Sequence, residues 1–200
     1  MKKVISMLLV MVMAIGIFTA CGNTPTPTPT EDTTPVVADP ANPLEVLENT
    51  FAKYEESQKF PMAGGAGENM NWEGPAAIDM AANGADLSYI VYVPEAEIAN
   101  ITEAATVQHA MNANTFTAAV LRVKEGTDAR AFALTLRDAI QSTQWLCGFP
   151  EKVIGMTIGE DYVVVAFGHD NTEAPLISTF CTKVLEAYPE ALTVYTENIG

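Results

Sequence analysis

Basic residues are scarce in this sequence, and over one long stretch there are none. The 200 residues carry 10 Lys and Arg against 25 Asp and Glu, for a formal charge of −15. No Lys or Arg occurs in residues 60–121, where Glu68, Glu73, Asp79, Asp86, Glu95, Glu97 and Glu103 all lie. Binding a phosphate backbone requires clustered cations, so nucleic acid is excluded as a partner. A stretch of one sign faces a basic partner, gathers cations or serves as a solvated acidic surface.

Recognisable catalytic chemistry is equally thin. There are 2 histidines, His109 and His169, and no H-E-x-x-H, G-x-S-x-G or C-x-x-C pattern. His169-Asp170-Asn171 follows an apolar run and offers a base or an oxygen-rich metal corner. The same residues also make a turn and a helix cap, and the cap is the reading adopted. Glu160 and Asp161 are adjacent on a turn, where consecutive side chains diverge, so they are expected to serve solubility. No cofactor, metal ligand or catalytic residue is assigned.

Cysteine is too sparse for a disulfide scaffold: Cys21, Cys147 and Cys181 are all there is. An exported chain permits a Cys147–Cys181 bridge, while the placement of Cys181 on a helical face with Ile177 and Val184 suits a buried free thiol. Both pairings stay open.

No apolar run reaches the ~20 residues a comfortable membrane-spanning helix needs. What is present is a short positive start, Lys2 and Lys3, followed by residues 4–20, "VISMLLVMVMAIGIFTA", without a charge. That is the n-region and h-region of an export signal. Thr19 and Ala20 before Cys21, with Gly22 after it, resemble the lipobox of bacterial lipoproteins, with Phe18 where the pattern usually has Leu. The resemblance implies signal-peptidase recognition of Phe18, Thr19, Ala20 and Cys21, lipidation of the Cys21 thiol, and cleavage just before it. The chain is then expected to be exported and held at the bacterial membrane by its acyl chains, facing outward from the cytoplasm. Residues 21–42 hold Pro25, Pro27, Pro29, Pro35 and Pro40, and Pro43 follows directly. Fixed φ and missing donors favour polyproline II there, a linker able to reach about 65 Å.

Residues 43–200 read as a single α+β domain. Asn42 and Pro43 open an amphipathic helix over 43–56 with Leu44, Leu47, Phe51 and Tyr54 on one face. The glycine-rich segment 60–74, "FPMAGGAGENMNWEG", lacks a phosphate-loop context and reads as an apolar-tipped loop, either an irregular connection or a ligand-binding one. Pro75 to Gly84 suggests a helix, 87–93 a strand, and the Ala-rich 95–112 a weak helix. Then follow a strand over 116–124, a helix from a Thr127 cap, a hairpin of 152–158 with 162–167, and a helix from an Asp170/Glu173 capping box to Tyr188. A final strand, "ALTVYT", closes the chain. From Phe116 onward the order is β-α-β-β-α-β, the ferredoxin-like arrangement, with a mostly antiparallel sheet and helices expected on one face.

The runs "VLRVKEGTDARAFALTLRDAI" and "VIGMTIGEDYVVVAFG" are similar to the body of small uncharacterised bacterial lipoproteins that pair a lipobox with an α+β domain, over about residues 87–188. The resemblance implies location and fold and supplies no active residues. The functional expectation is therefore a membrane-anchored lipoprotein whose domain is a non-catalytic module that binds an envelope protein or a small ligand. The alternatives are an envelope enzyme centred on His169, Asp170 or Cys147, and a self-associating structural module.

Overall fold

Val163, Val164 and Val165 lie in the middle of a sheet, and successive members of this run face different hydrophobic cores. A strand buried on both faces reads as a continuous apolar run rather than an alternation, which is what these residues show. The computed structural model describes residues 39–111 and 115–200, which form one compact unit. The leader, Phe18, Thr19, Ala20, Cys21 and the linker up to residue 38 lie outside the described residues.

In chain order the elements are α1 (Pro43–Phe51), β1 (Met62–Ala63), β2 (Ala76–Ile78), α2 (Met80–Asn83), α3 (Leu87–Ile90) and α4 (Glu95–Ile98). They continue with β3 (Ile101–His109), β4 (Phe116–Val123), α5 (Ala129–Gln141), β5 (Lys152–Ile158), β6 (Tyr162–Gly168), α6 (Leu176–Ala187) and β7 (Leu192–Asn198). Every strand pairing is antiparallel, and the sheet runs β1-β3-β4-β6-β5-β7 with β2 also on β3. The fold is α+β.

The expected β-α-β-β-α-β order is present from β4 to β7, but its helices do not share one face. The crossover β4-α5-β5 passes over β6, and β6-α6-β7 passes over β5. Both move the same way across the sheet from strands that run in opposite directions, so two right-handed crossovers place α5 and α6 on opposite faces. β7 lands beside β5 because the outer edge of β4 already holds β3. Phe132, Leu136 and Ile140 of α5 pack with Val163, Val165 and Phe167 on one face. Ile177, Phe180 and Val184 of α6 join Val46 and Leu47 of α1 over Val164 and Ala166 on the other.

Several boundaries differ from expectation. The linker ends before residue 42: Pro40 is buried, and its carbonyl accepts from the Tyr162 hydroxyl at 2.8 Å. Asn42 does cap α1 by accepting from the Glu45 N–H, but the helix stops at Phe51. Residues 87–93 are not a strand. Leu87 and Val91, one helical turn apart, enter the same core, Tyr92 reverses the chain at φ 58°, and Val93 returns to that core. The Ala-rich segment read as a helix is mostly β3, because Ala104 and Ala105 are small enough to lie flat between β2 and β4.

Candidate functional site

β3 supplies the floor of the site. Thr106 and Gln108, two residues apart, project to the same face of the sheet. Alongside them the neighbouring edge is interrupted: Ala63 of β1 pairs with Gln108, Ala76 of β2 pairs with Thr106, and residues 64–75 leave the sheet between them as a loop. The departure requires glycine. A Cβ on Gly64 would lie 2.6 Å from the Ala76 nitrogen and 2.8 Å from the Pro75 Cα, so only a bare backbone passes there. The loop is then fastened. Gly65, in the left-handed region at φ 80°, donates its N–H to Thr106 Oγ1 at 3.0 Å, and Gly64 and Asn71 exchange backbone hydrogen bonds at 2.9 Å.

Opposite the loop stands the turn formed by residues 84–86 and α3. Between the two lies a hollow of about 280 Å³ lined by Gly65, Met70, Asp86, Tyr89, Thr106 and Gln108, among others. Its walls are mainly apolar. Asp86 accepts from Asn83 Nδ2 at 3.1 Å and takes part in no ion pair among the described residues. Tyr89 of α3 is 79% exposed at the rim, and Trp72, in the glycine loop, is 72% exposed. A concave apolar surface with a few convergent polar groups is the usual form of a small-ligand site.

The residues singled out in the sequence for chemistry lie elsewhere. Asp170 sits under the start of α6, with its carboxylate accepting from Lys152, from the Ser178 N–H at 2.6 Å and from Ser178 Oγ at 2.7 Å. Burial raises its pKa, but the hydrogen bonds from Lys152 and Ser178 outweigh burial, and the net shift is downward. Glu173 is not its capping partner; Asn171 Oδ1 accepts the Glu173 and Ala174 N–H groups instead, and the helix begins after Pro175. Asp161 does more than solubilise a turn: it accepts from Arg122 Nε at 2.8 Å. At the far end of β3, His109 lies flat on Phe60 with ring centroids 4.9 Å apart, and its Nδ1 accepts from the Met111 N–H at 3.0 Å. Burial and then the neighbouring His169 hold its pKa down. Cys147 borders a 170 Å³ hollow with His109.

The bridge between Cys147 and Cys181 is not formed. Both are free thiols, Cys147 exposed and Cys181 half-buried on α6 with its Sγ 3.9 Å from Met156 Sδ. Among the described residues no group of three or more His, Cys, Asp and Glu is placed to hold a metal ion, and no helix is long and apolar enough to cross a membrane.

The chain matches no protein-family model, and no curated protein or solved structure proved similar to it. Its class rests on its own geometry: an α+β domain whose antiparallel sheet is covered on both faces, with one edge opened into a glycine-lined hollow.

Of the site residues, the sequence pointed to the glycine loop and, as one acid of the stretch without Lys or Arg, to Asp86. Thr106 and Gln108 were hidden because β3 read as helix, and Tyr89 because residues 87–93 read as a strand. The available signal was the combination of Gly64-Gly65 with a β-branched Thr106-Val107 pair, which marks a close backbone approach to a strand.

Proposed function

We propose that the chain is an exported lipoprotein held at the membrane through acylated Cys21, and that its body is a non-catalytic module binding a small ligand beneath the glycine loop. The anchor is supported by the uncharged residues 4–20, the small residues before Cys21 and the threonine-proline run behind it. The resemblance to small bacterial lipoproteins supports the same reading. The hollow over Thr106 and Gln108 is the observation that carries the binding function. The enzyme alternative, centred on His169, Asp170 or Cys147, is weakened at one of these groups: the Asp170 carboxylate is already bound to Lys152 and Ser178.

Calorimetric titration of the full-length chain with small aromatic compounds tests the binding module. Heat of binding that Tyr89→Ala diminishes is the expected result. No saturable binding, or binding indifferent to Tyr89, would overturn it. Labelling cells with a radiolabelled fatty acid tests the anchor separately: the wild-type chain takes up label and Cys21→Ser does not.

A further inference from the structure

The hollow's chemistry narrows its occupant. We infer that it takes a compact organic cation, an aromatic or aliphatic body carrying a protonated amine, with the body against Met70 and Ile90 and the ammonium at Asp86. This inference rests on the binding-module reading above and adds the class of ligand to it.

Three observations on different elements converge on positive charge. Asp86 forms part of the wall, and its recorded side-chain partner is a neutral amide, Asn83 Nδ2, so its negative charge is not cancelled. The surrounding stretch supplies nothing to cancel it: residues 60–121, which provide the entire lining from Ala63 to Gln108, contain seven acids and no Lys or Arg. The flanking cations are also committed, Lys59 to Glu56 at 2.5 Å and Arg122 to Asp161 at 2.8 Å. An anionic ligand would be repelled in such a site, whereas a cation gains on entry.

The remaining lining fits the same ligand. Tyr89, three residues after Asp86, also lines the hollow, and its exposed ring is available to a cation bound there. Gln108, half-buried on the floor, can accept the ammonium's remaining N–H groups or those of a neighbouring amide. A volume of about 280 Å³ admits a single ring with a short chain and excludes a folded peptide. The geometry therefore selects by charge at one wall and by apolar fit at the other.

The test uses three probes of one shape on the full-length chain in non-ionic detergent: phenethylammonium, 2-phenylethanol and phenylacetate, each titrated by calorimetry. The expected order is the cation first, the alcohol about tenfold weaker and the carboxylate weakest, since an exposed ion pair with a cation–π contact is worth roughly that ratio. Asp86→Asn, which still accepts from Asn83 through its amide oxygen, is expected to bring cation and alcohol together, and Asp86→Glu to restore the preference. Equal binding of cation and alcohol to the wild-type chain would overturn the charge assignment and leave the binding module standing. If none of the three binds, the module falls with it. A preference that survives Asp86→Asn would also overturn the assignment, because the discrimination would then lie outside this wall.

Discussion

The ring of Tyr195, on β7, lies directly on the backbone of Gly155, its cross-strand partner on β5. A Cβ at residue 155 would stand 2.7 Å from the Tyr195 hydroxyl oxygen and closer still to the ring carbons. Because β7 is held to the sheet only through β5, this contact governs how the last strand seats. Gly155→Ala is expected to cost about 1–3 kcal/mol by overpacking, read as a lower urea midpoint. Tyr195→Phe should do the opposite or nothing: the hydroxyl is buried with no hydrogen-bond partner among the described residues, and removing it leaves the ring contact intact.

The loop over the candidate pocket depends on one side chain below it. Thr106 Oγ1 receives the Gly65 N–H in a buried setting, so Thr106→Val keeps the shape of the strand and removes the acceptor. A loss of about 1–3 kcal/mol is expected, since the orphaned N–H is buried. Hydrogen exchange should show the Gly65 amide losing protection while the amides of β4 and β6 keep theirs. Unchanged protection at Gly65 would mean that the loop is held by the Gly64–Asn71 pair alone.

Strong periodicity made part of this fold legible in the sequence. The β5–β6 hairpin and β7 were placed to within a residue or two from apolar runs bounded by turn residues, and α5 from apolar residues three to four apart, although its cap is Asp128 rather than Thr127. Two of the failures, residues 87–93 and β3, arise where contacts distant in sequence override local preference. Residues 87–93 are β-branched and aromatic, yet Tyr92 turns the chain at φ 58° while its ring packs against Trp145 and Phe167 at 5.1 and 5.7 Å. That compensation comes from residues far away in sequence. β3 failed for the reverse reason: alanine favours helices locally, and only the two flanking strands make its smallness useful in a sheet. The pocket inherited both errors, since its floor is β3 and its far wall precedes Tyr92.

The two described cysteines should differ in reactivity. Cys147 is exposed, whereas burial pushes the Cys181 thiol pKa up and partly shields the sulfur beneath α6. In full-length Cys21→Ser treated with a thiol-reactive chromogen at pH 8, one thiol is expected to react rapidly and the second only on unfolding. Cys147→Ser should abolish the fast phase. Two missing thiols that return only after reduction would show that the pair is bridged after all.

The start of α6 sets an acid limit on stability. Asp170 has its side chain almost fully enclosed, and its pKa is lowered because the bonds from Lys152 and Ser178 favour the carboxylate over the acid. A carboxylate depressed in the folded state binds fewer protons than in the unfolded chain. Its contribution is therefore complete above the ordinary aspartate pKa of about 3.9 and is lost as pH falls through the lower folded value. Asp170→Asn removes the negative charge that faces Lys152 and one of the two carboxylate oxygens that accept from Ser178. The expected loss at pH 7 is about 1–3 kcal/mol, the range for a charge-assisted hydrogen bond in a partly buried cap. Urea midpoints measured from pH 7 down to pH 2 should show parent and variant converging at the acid end. A gap that stays constant across that range would mean that Asp170 acts through its shape rather than its charge.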